Sequence, residues 1–258
     1  MSIDLDVDGD GVATVTINRP EVHNALDAAH YTAISNAWKT VRDDPQIRCA
    51  ILTGAGDKAF SAGADIKNVL TAKNPWSEVW LTQKDQLLNR GLEVWKPIIA
   101  AVNGFCMGGG VTMLFATDIR VASEHATFGL SEVKRGIIAG NGGTQRVLQQ
   151  LPWCVGMEML LTGDPIDAAT AERWGLINKV VPHKELMSAA RGYAARVAAN
   201  APLAVQAAKE LAVRSRDTDI NTGLRIEQLI GRMLRETEDA REGPAAFREK
   251  RKPRFKGS

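Results

Sequence analysis

The chain has 258 residues, is 45% hydrophobic and 24% charged, and carries a formal net charge of +2. That is the make-up of a globular protein with a substantial core, in one large α/β domain or two smaller ones. It gives no global electrostatic case for nucleic acid, and no apolar run approaches the roughly 20 residues that span a bilayer.

The stretch Met1-Ser-Ile-Asp-Leu-Asp-Val-Asp8 is acidic and lacks a signal-peptide apolar region, so the cytoplasm is the expected location. Residues 3–17 hold two strand-like runs about Gly9-Asp-Gly11, a hairpin signal. Asn18 to Asn24 reads as loop. Asp27 is a plausible helix cap, because Tyr31, Ile34, Trp38 and Val41 recur at helical spacing up to Pro45. Cys49 to Thr53 is a strand, ended by Gly54-Ala-Gly56. Residues 71–95 carry Trp76, Trp80 and Trp95, with Trp76, Trp80 and Leu87–Leu88 near one helical face. They are either core or the wall of an apolar pocket. Ile98 to Val102 has the pattern of a buried strand; Asn103-Gly104 breaks it, and Gly108-Gly109-Gly110 opens an apolar helical segment.

Ile119 to Ala122 is a further strand and Ala126 to Gly129 is short and extended. Gly140-Asn-Gly-Gly143 opens a helix to about Leu151. Val155 to Leu161, Ala168 to Trp174 and Leu186 to Ala199 read as helices, and from Pro202 onward the pattern is almost wholly helical. Strand, turn and helix repeat over 12–43, 48–95 and 98–117, which predicts an α/β fold. The expected division is an α/β core over residues 1–195 and a helical region over 196–258.

Cys49, Cys106 and Cys154 are widely spaced in apolar surroundings and are expected to be reduced core residues. His23, His30, His125 and His183 are scattered, so no metal site is expected. A nucleophile elbow, a Walker loop and a dinucleotide-binding fingerprint are all absent from the sequence. Gly140-Asn-Gly-Gly-Thr144 could cradle a phosphate but lacks the lysine of a P-loop.

The chemistry-bearing stretch is Ile98 to Arg146. A strand, a glycine turn and a helix start together present unpaired backbone N–H groups at the positive end of a helix dipole. Glycine lets a ligand approach the main chain closely. Such a place holds a phosphate or an oxyanion formed in a reaction. Glu132, an acid among apolar neighbours, is either a solvated loop charge or a carboxylate placed for proton transfer.

Four segments carry a family likeness. Ala101-Val-Asn-Gly-Phe-Cys-Met-Gly-Gly-Gly110 resembles the second oxyanion segment of the crotonase superfamily, the enoyl-CoA hydratases and isomerases. Phe60-Ser-Ala-Gly-Ala-Asp-Ile-Lys67 resembles its first oxyanion segment. Phe128-Gly-Leu-Ser-Glu-Val133 and Gly142-Gly-Thr-Gln-Arg146 match its next two signatures, in order and spacing. The resemblance implies a spiral of ββα units followed by a helical region that makes trimer contacts, as a homotrimer or a dimer of trimers. It implies an acyl-CoA substrate, with CoA as part of the substrate and no separate cofactor.

By the same resemblance, the N–H groups of Ala64 and Gly109 bind the thioester carbonyl and stabilise its enolate, with Glu132 as the acid/base. Ala25, Ala62, Asp65, Ile66, Lys67 and Thr112 are expected to line the substrate, and Phe247 and Lys250 to meet the nucleotide part of CoA from the cationic run Phe247 to Lys256. For Asp65 the residues alone suggest a helix cap. Hydratases of the family carry another glutamate two residues after the glycine triplet, where this chain has Thr112. An unperturbed threonine hydroxyl is no base at neutral pH. Hydration, double-bond isomerisation through one glutamate, and the lyase or hydratase chemistry of specialised acyl-CoAs therefore all stay open. Acyl-CoA binding without turnover and RNA binding are the readings outside catalysis. The low net charge and the lack of an aromatic-studded basic stripe argue against RNA.

Overall fold

The first two strands, β1 (Ile3–Val7) and β2 (Val12–Ile17), pair antiparallel about the Gly9–Gly11 turn, as the hairpin signal predicts. The structure, a computed structural model, describes residues 3–66 and 86–258. Behind the hairpin, β3 (Cys49–Gly54), β5 (Ile98–Val102), β7 (Ile119–Ser123) and β10 (Lys179–Val181) complete a six-stranded sheet of order β1-β2-β3-β5-β7-β10. Every pairing after the first is parallel. A second sheet has the order β4-β6-β8-β9, from β4 (Ala59–Ser61), β6 (Phe105–Met107), β8 (Thr127–Gly129) and β9 (Ile166–Asp167). The chain thus lays one strand in each sheet per turn: β3 then β4, β5 then β6, β7 then β8. This is the expected spiral.

β5 lies at the centre, and all five of its residues are buried. Side chains alternate along a strand, so a strand covered on both faces reads as a continuous apolar run. Ile98, Ala100 and Val102 join a core with Trp38, Phe60, Val111 and Phe128. Ile99 and Ala101 face the other way, into a core with Ile51, Val121, Ala190 and Ala194.

Helix α1 (Ala28–Asp43) starts where Asp27 predicts, with the Asp27 carboxylate accepting from His30 N at 3.1 Å. Its buried stripe includes Ile34, Trp38 and Val41. The remaining helices among the described residues are α2 (Gly109–Leu114), α3 (Gly143–Gln150), α4 (Trp153–Thr162), α5 (Ala168–Arg173), α6 (Leu186–Ala198), α7 (Pro202–Arg214), α8 (Ile220–Leu234) and α9 (Glu238–Arg248). α6 runs across residue 195 and closes the outer face of the large sheet. It buries Leu186, Ala190, Ala194 and Ala198, one residue per turn, and the small alanines let it lie close to the strands. The C-terminal tail folds back: Arg48 donates to Phe255 O at 2.7 Å, and the Asp239 carboxylate accepts from Lys256 N and Gly257 N.

One expectation is corrected. Cys49 and Cys106 are buried, but Cys154 is exposed. It sits in the first turn of α4 beside Trp153, itself 69% exposed, while Val155, Gly156 and Met159 form the buried face. Apolar neighbours in sequence did not mean apolar neighbours in space. Trp76 and Trp80 lie outside the described residues. Trp95 has the Arg214 guanidinium 5.0 Å from its ring centroid. Among the described residues no helix is long and apolar enough to cross a membrane, and no cluster of three or more His, Cys, Asp or Glu could hold a metal.

Candidate active site

The site grows from the parallel pairing of β4 with β6, which sets Ser61–Gly63 beside Met107–Gly109. Gly63 takes φ +84, and a Cβ built on it would stand 2.6 Å from Gly109 N. A Cβ on Gly109 would stand 3.3 Å from Ala64 N and 3.5 Å from the Tyr31 hydroxyl. Two glycines therefore let two backbone segments meet with nothing between them.

The orientation of Ala64 follows from its neighbours. Leu26 N donates to Gly63 O at 2.8 Å, and Asp65 N donates to Leu26 O at 2.8 Å. A parallel bridge of this kind uses the groups flanking Ala64 and leaves its own N–H on the side away from Leu26. Gly109 is the first residue of α2, where an N–H has no partner within the helix. Among the described residues neither the Ala64 nor the Gly109 N–H has an acceptor. The first turn of α2 is anchored by Gly108, whose N–H donates to Gly129 O at 2.8 Å and whose carbonyl accepts from Thr112 N at 3.1 Å.

The loop with Ala25 is clamped against the first of these segments. Asn24 donates through Nδ2 to Ala59 O at 2.6 Å and Ala55 O at 3.0 Å, and Ala62 N donates to His23 O at 2.9 Å. Arg19 Nη1 donates to Ala25 O at 3.2 Å and to Asp65 Oδ2 at 3.1 Å. Ala25, Ala62, Ala64 and Asp65 are thus brought together. Ile66 follows, 42% exposed. Asp65 is partnered by Arg19; the residues it was expected to cap, Lys67 among them, lie outside the described residues. Phe247 is 85% exposed, and Lys250 follows it on the surface. The tail beyond them is fastened at Arg48, before the start of β3, whereas the first glycine segment follows the end of β3. Within one chain these two residues are not gathered with the rest.

Glu132 lies in a 3-10 turn, Ser131–Arg135, that follows β8. Its Oε1 would be 3.1 Å from a Cβ on Gly108, so the carboxyl stands beside the residue that leads into Gly109. Burial pushes its pKa up, offset in part by a backbone hydrogen bond and by Arg135. Glu132 Oε2 is buried without a hydrogen-bond partner among the described residues.

Thr112 is buried, and its hydroxyl donates to Gly109 O at 3.0 Å. It also receives Asn89 Nδ2 at 3.0 Å. Sequence reasoning missed Asn89, because no local pattern marks it. It also passed over Tyr31 as a site residue, since the same side chain serves the helical stripe of α1. Burial raises the Tyr31 pKa, against a lowering by Arg90. A cavity of about 880 Å³ lies elsewhere, among Trp95, Asp118, Arg120, Lys209 and Arg216, and none of the expected site residues lines it.

A family model described as Enoyl-CoA hydratase/isomerase matches residues 8–258. The chain is 43% identical to an (E)-benzylidenesuccinyl-CoA hydratase of Thauera aromatica over 258 residues, covering 100% of both. It is 39% identical to a carnitinyl-CoA dehydratase of Salmonella arizonae, covering 95% of each. A crystal structure of an enoyl-CoA hydratase from Bacillus anthracis superposes with a TM-score of 0.92 at 35% identity, covering 100% of both chains. With the fold, the four motifs and these full-length likenesses in agreement, the chain belongs to the enoyl-CoA hydratase/isomerase family.

Proposed function

We propose that the protein reversibly hydrates the double bond of a 2-enoyl-CoA, holding the thioester oxygen on the N–H groups of Ala64 and Gly109 and moving the proton with Glu132. The observation that carries this is the pair of neighbouring amides without acceptors among the described residues, beside a carboxyl whose pKa burial raises. Addition of water to the β-carbon sends the π electrons to the thioester oxygen. Two preorganised donors stabilise that enolate, each worth about 3 kcal/mol of barrier. Glu132 takes a proton from the water and returns it to the α-carbon. A carboxyl with a raised pKa is suited to both halves of that exchange near neutrality.

Hydration is favoured over isomerisation by the relatives, which are named as a hydratase and a dehydratase. Their names also point to acyl groups larger and more polar than a plain alkyl chain. Ala25, Ala62, Asp65 and Ile66 lie beside Ala64 and, with Lys67, would meet the CoA moiety. Phe247 and Lys250 would reach the nucleotide of a CoA held by a neighbouring copy in a trimer. Isomerisation by Glu132 alone is the second reading, favoured by Thr112 at the position where hydratases of the family carry a glutamate.

The test uses purified protein with a 2-enoyl-CoA and a 3-enoyl-CoA, followed by mass spectrometry. A 3-hydroxyacyl product from the first supports hydration. Conversion of the 3-enoyl to the 2-enoyl thioester without hydration establishes the second reading, and Glu132→Gln retaining most of either turnover contradicts both.

A further inference from the structure

We propose that Asn89 is the second water-holding group of this site: its Oδ1 accepts a hydrogen bond from the attacking water while Glu132 takes that water's other proton. The inference rests on the hydratase reading above and adds the group that positions the nucleophile.

The orientation of the amide follows from Thr112. Its hydroxyl has one proton, and that proton goes to Gly109 O at 3.0 Å. Toward Asn89, also at 3.0 Å, Thr112 can only accept. Asn89 must therefore present its NH₂ to Thr112 and turn Oδ1 away. Asn89 is only 5% exposed, and Oδ1 has no hydrogen-bond partner among the described residues. A buried amide oxygen left unpaired is unfavourable, and such groups are uncommon in native proteins unless something else uses them. The main chain of Asn89 is held apart from its side chain: Arg146 Nη1 donates to Asn89 O at 2.9 Å and to Asn141 O at 3.0 Å.

Glu132 Oε2 is a second buried acceptor without a partner among the described residues. A water has two protons and needs two acceptors to be held in one orientation. Thr112 brings no carboxylate, and what stands against it is an amide with a free oxygen. In the step proposed, one O–H bond of the water breaks and its proton goes to the Glu132 carboxylate. The oxygen bonds to the β-carbon, and the π pair moves onto the thioester. Glu132 then returns the proton to the α-carbon. Asn89 accepts a hydrogen bond throughout and exchanges no proton.

Two rates separate this role from a structural one. Hydration of (E)-benzylidenesuccinyl-CoA needs the water, whereas hydrogen exchange at the α-carbon of butyryl-CoA in deuterated water needs only Glu132 and the two amides. Asn89→Ala is expected to slow hydration about a hundredfold and exchange by no more than about threefold. Asn89→Asp, which keeps an acceptor, is expected to recover at least about a tenth of the hydration rate. Glu132→Gln is expected to slow both, and tests the underlying reading by itself. If Asn89→Ala slows both rates equally, or leaves hydration within about threefold of the parent, the inference is overturned. A parent protein silent in both assays overturns the hydratase reading and the inference with it.

Discussion

Gly63 and Gly109 meet backbone to backbone: a side chain on Gly63 would begin 2.6 Å from the nitrogen of Gly109. Gly63 also holds φ +84, where a residue with a Cβ is strained. Gly63→Ala is therefore expected to cost about 1–3 kcal/mol of stability and to push the Ala64 and Gly109 amides apart. Turnover should fall about a hundredfold, the cost of misaligning one donor. Chemical denaturation together with an enoyl-CoA assay checks it. A variant as stable and active as the parent would show that the contact is looser than described.

Glu132 supplies a pH dependence with a definite sign. Burial raises its pKa, so the folded protein binds that proton more tightly than the unfolded chain. Its contribution to stability is full below the ordinary glutamate value and is lost as pH rises through the raised one. Catalysis runs the other way, since taking a proton from water needs the carboxylate. The acid limb of kcat/KM for hydration is expected above the ordinary carboxylate range. Glu132→Gln is expected to lower turnover by about 10²–10⁴ and to gain stability relative to the parent as pH rises through that window. Urea unfolding at pH 4 and pH 8 measures the second effect, and an acid limb in the ordinary glutamate range would contradict the first.

Arg19 ties together the loop of Ala25 and the segment of Asp65. It reaches Ala25 O and Asp65 Oδ2, and lies 3.6 Å from Asp27 Oδ2. Its side chain is about one-fifth exposed, so these are not fully screened surface pairs. Arg19→Gln is expected to loosen the entry, raising KM for the CoA thioester by about five- to tenfold with kcat changed less than about threefold. Steady-state kinetics decides it; a fall confined to kcat would place Arg19 nearer the chemistry.

Helix α8 has no buried residue, and Ile220, Leu224, Leu229 and Met233 are 71%, 46%, 50% and 71% exposed. These four side chains flank the half-buried face of the helix on both sides, and exposed apolar groups of this size call for cover. A homotrimer, or a dimer of trimers, is the expected state, to be read by light scattering. Ile220→Asp with Met233→Asp is expected to shift the parent assembly toward monomer, and a monomeric parent would overturn this reading.

The parts of the fold legible in the sequence are those set by local rules. β5 was visible as an apolar run ended by Asn103-Gly104, and the start of α1 was visible through Asp27. The strands of the second sheet were harder. β6 and β8 have three residues each and β9 has two, too short to display a period. The two glycine segments could be placed through their motifs, but their approach depends on β4 pairing with β6. Asn89 and Thr112 are 23 positions apart, and Arg19 and Asp65 are 46 apart. Nothing in the local pattern of either stretch encodes such a meeting. Cys154 misled for the same reason, because its burial depends on which side of α4 meets the core.

The most direct test of the hydratase reading is turnover of (E)-benzylidenesuccinyl-CoA and trans-2-butenoyl-CoA in water labelled with oxygen-18. The expected result is a hydroxyacyl-CoA carrying one label at the β-carbon from at least one substrate, lost on substitution of Glu132 by glutamine. Unlabelled substrate returned from both, or label entering at the same rate in Glu132→Gln, would contradict it.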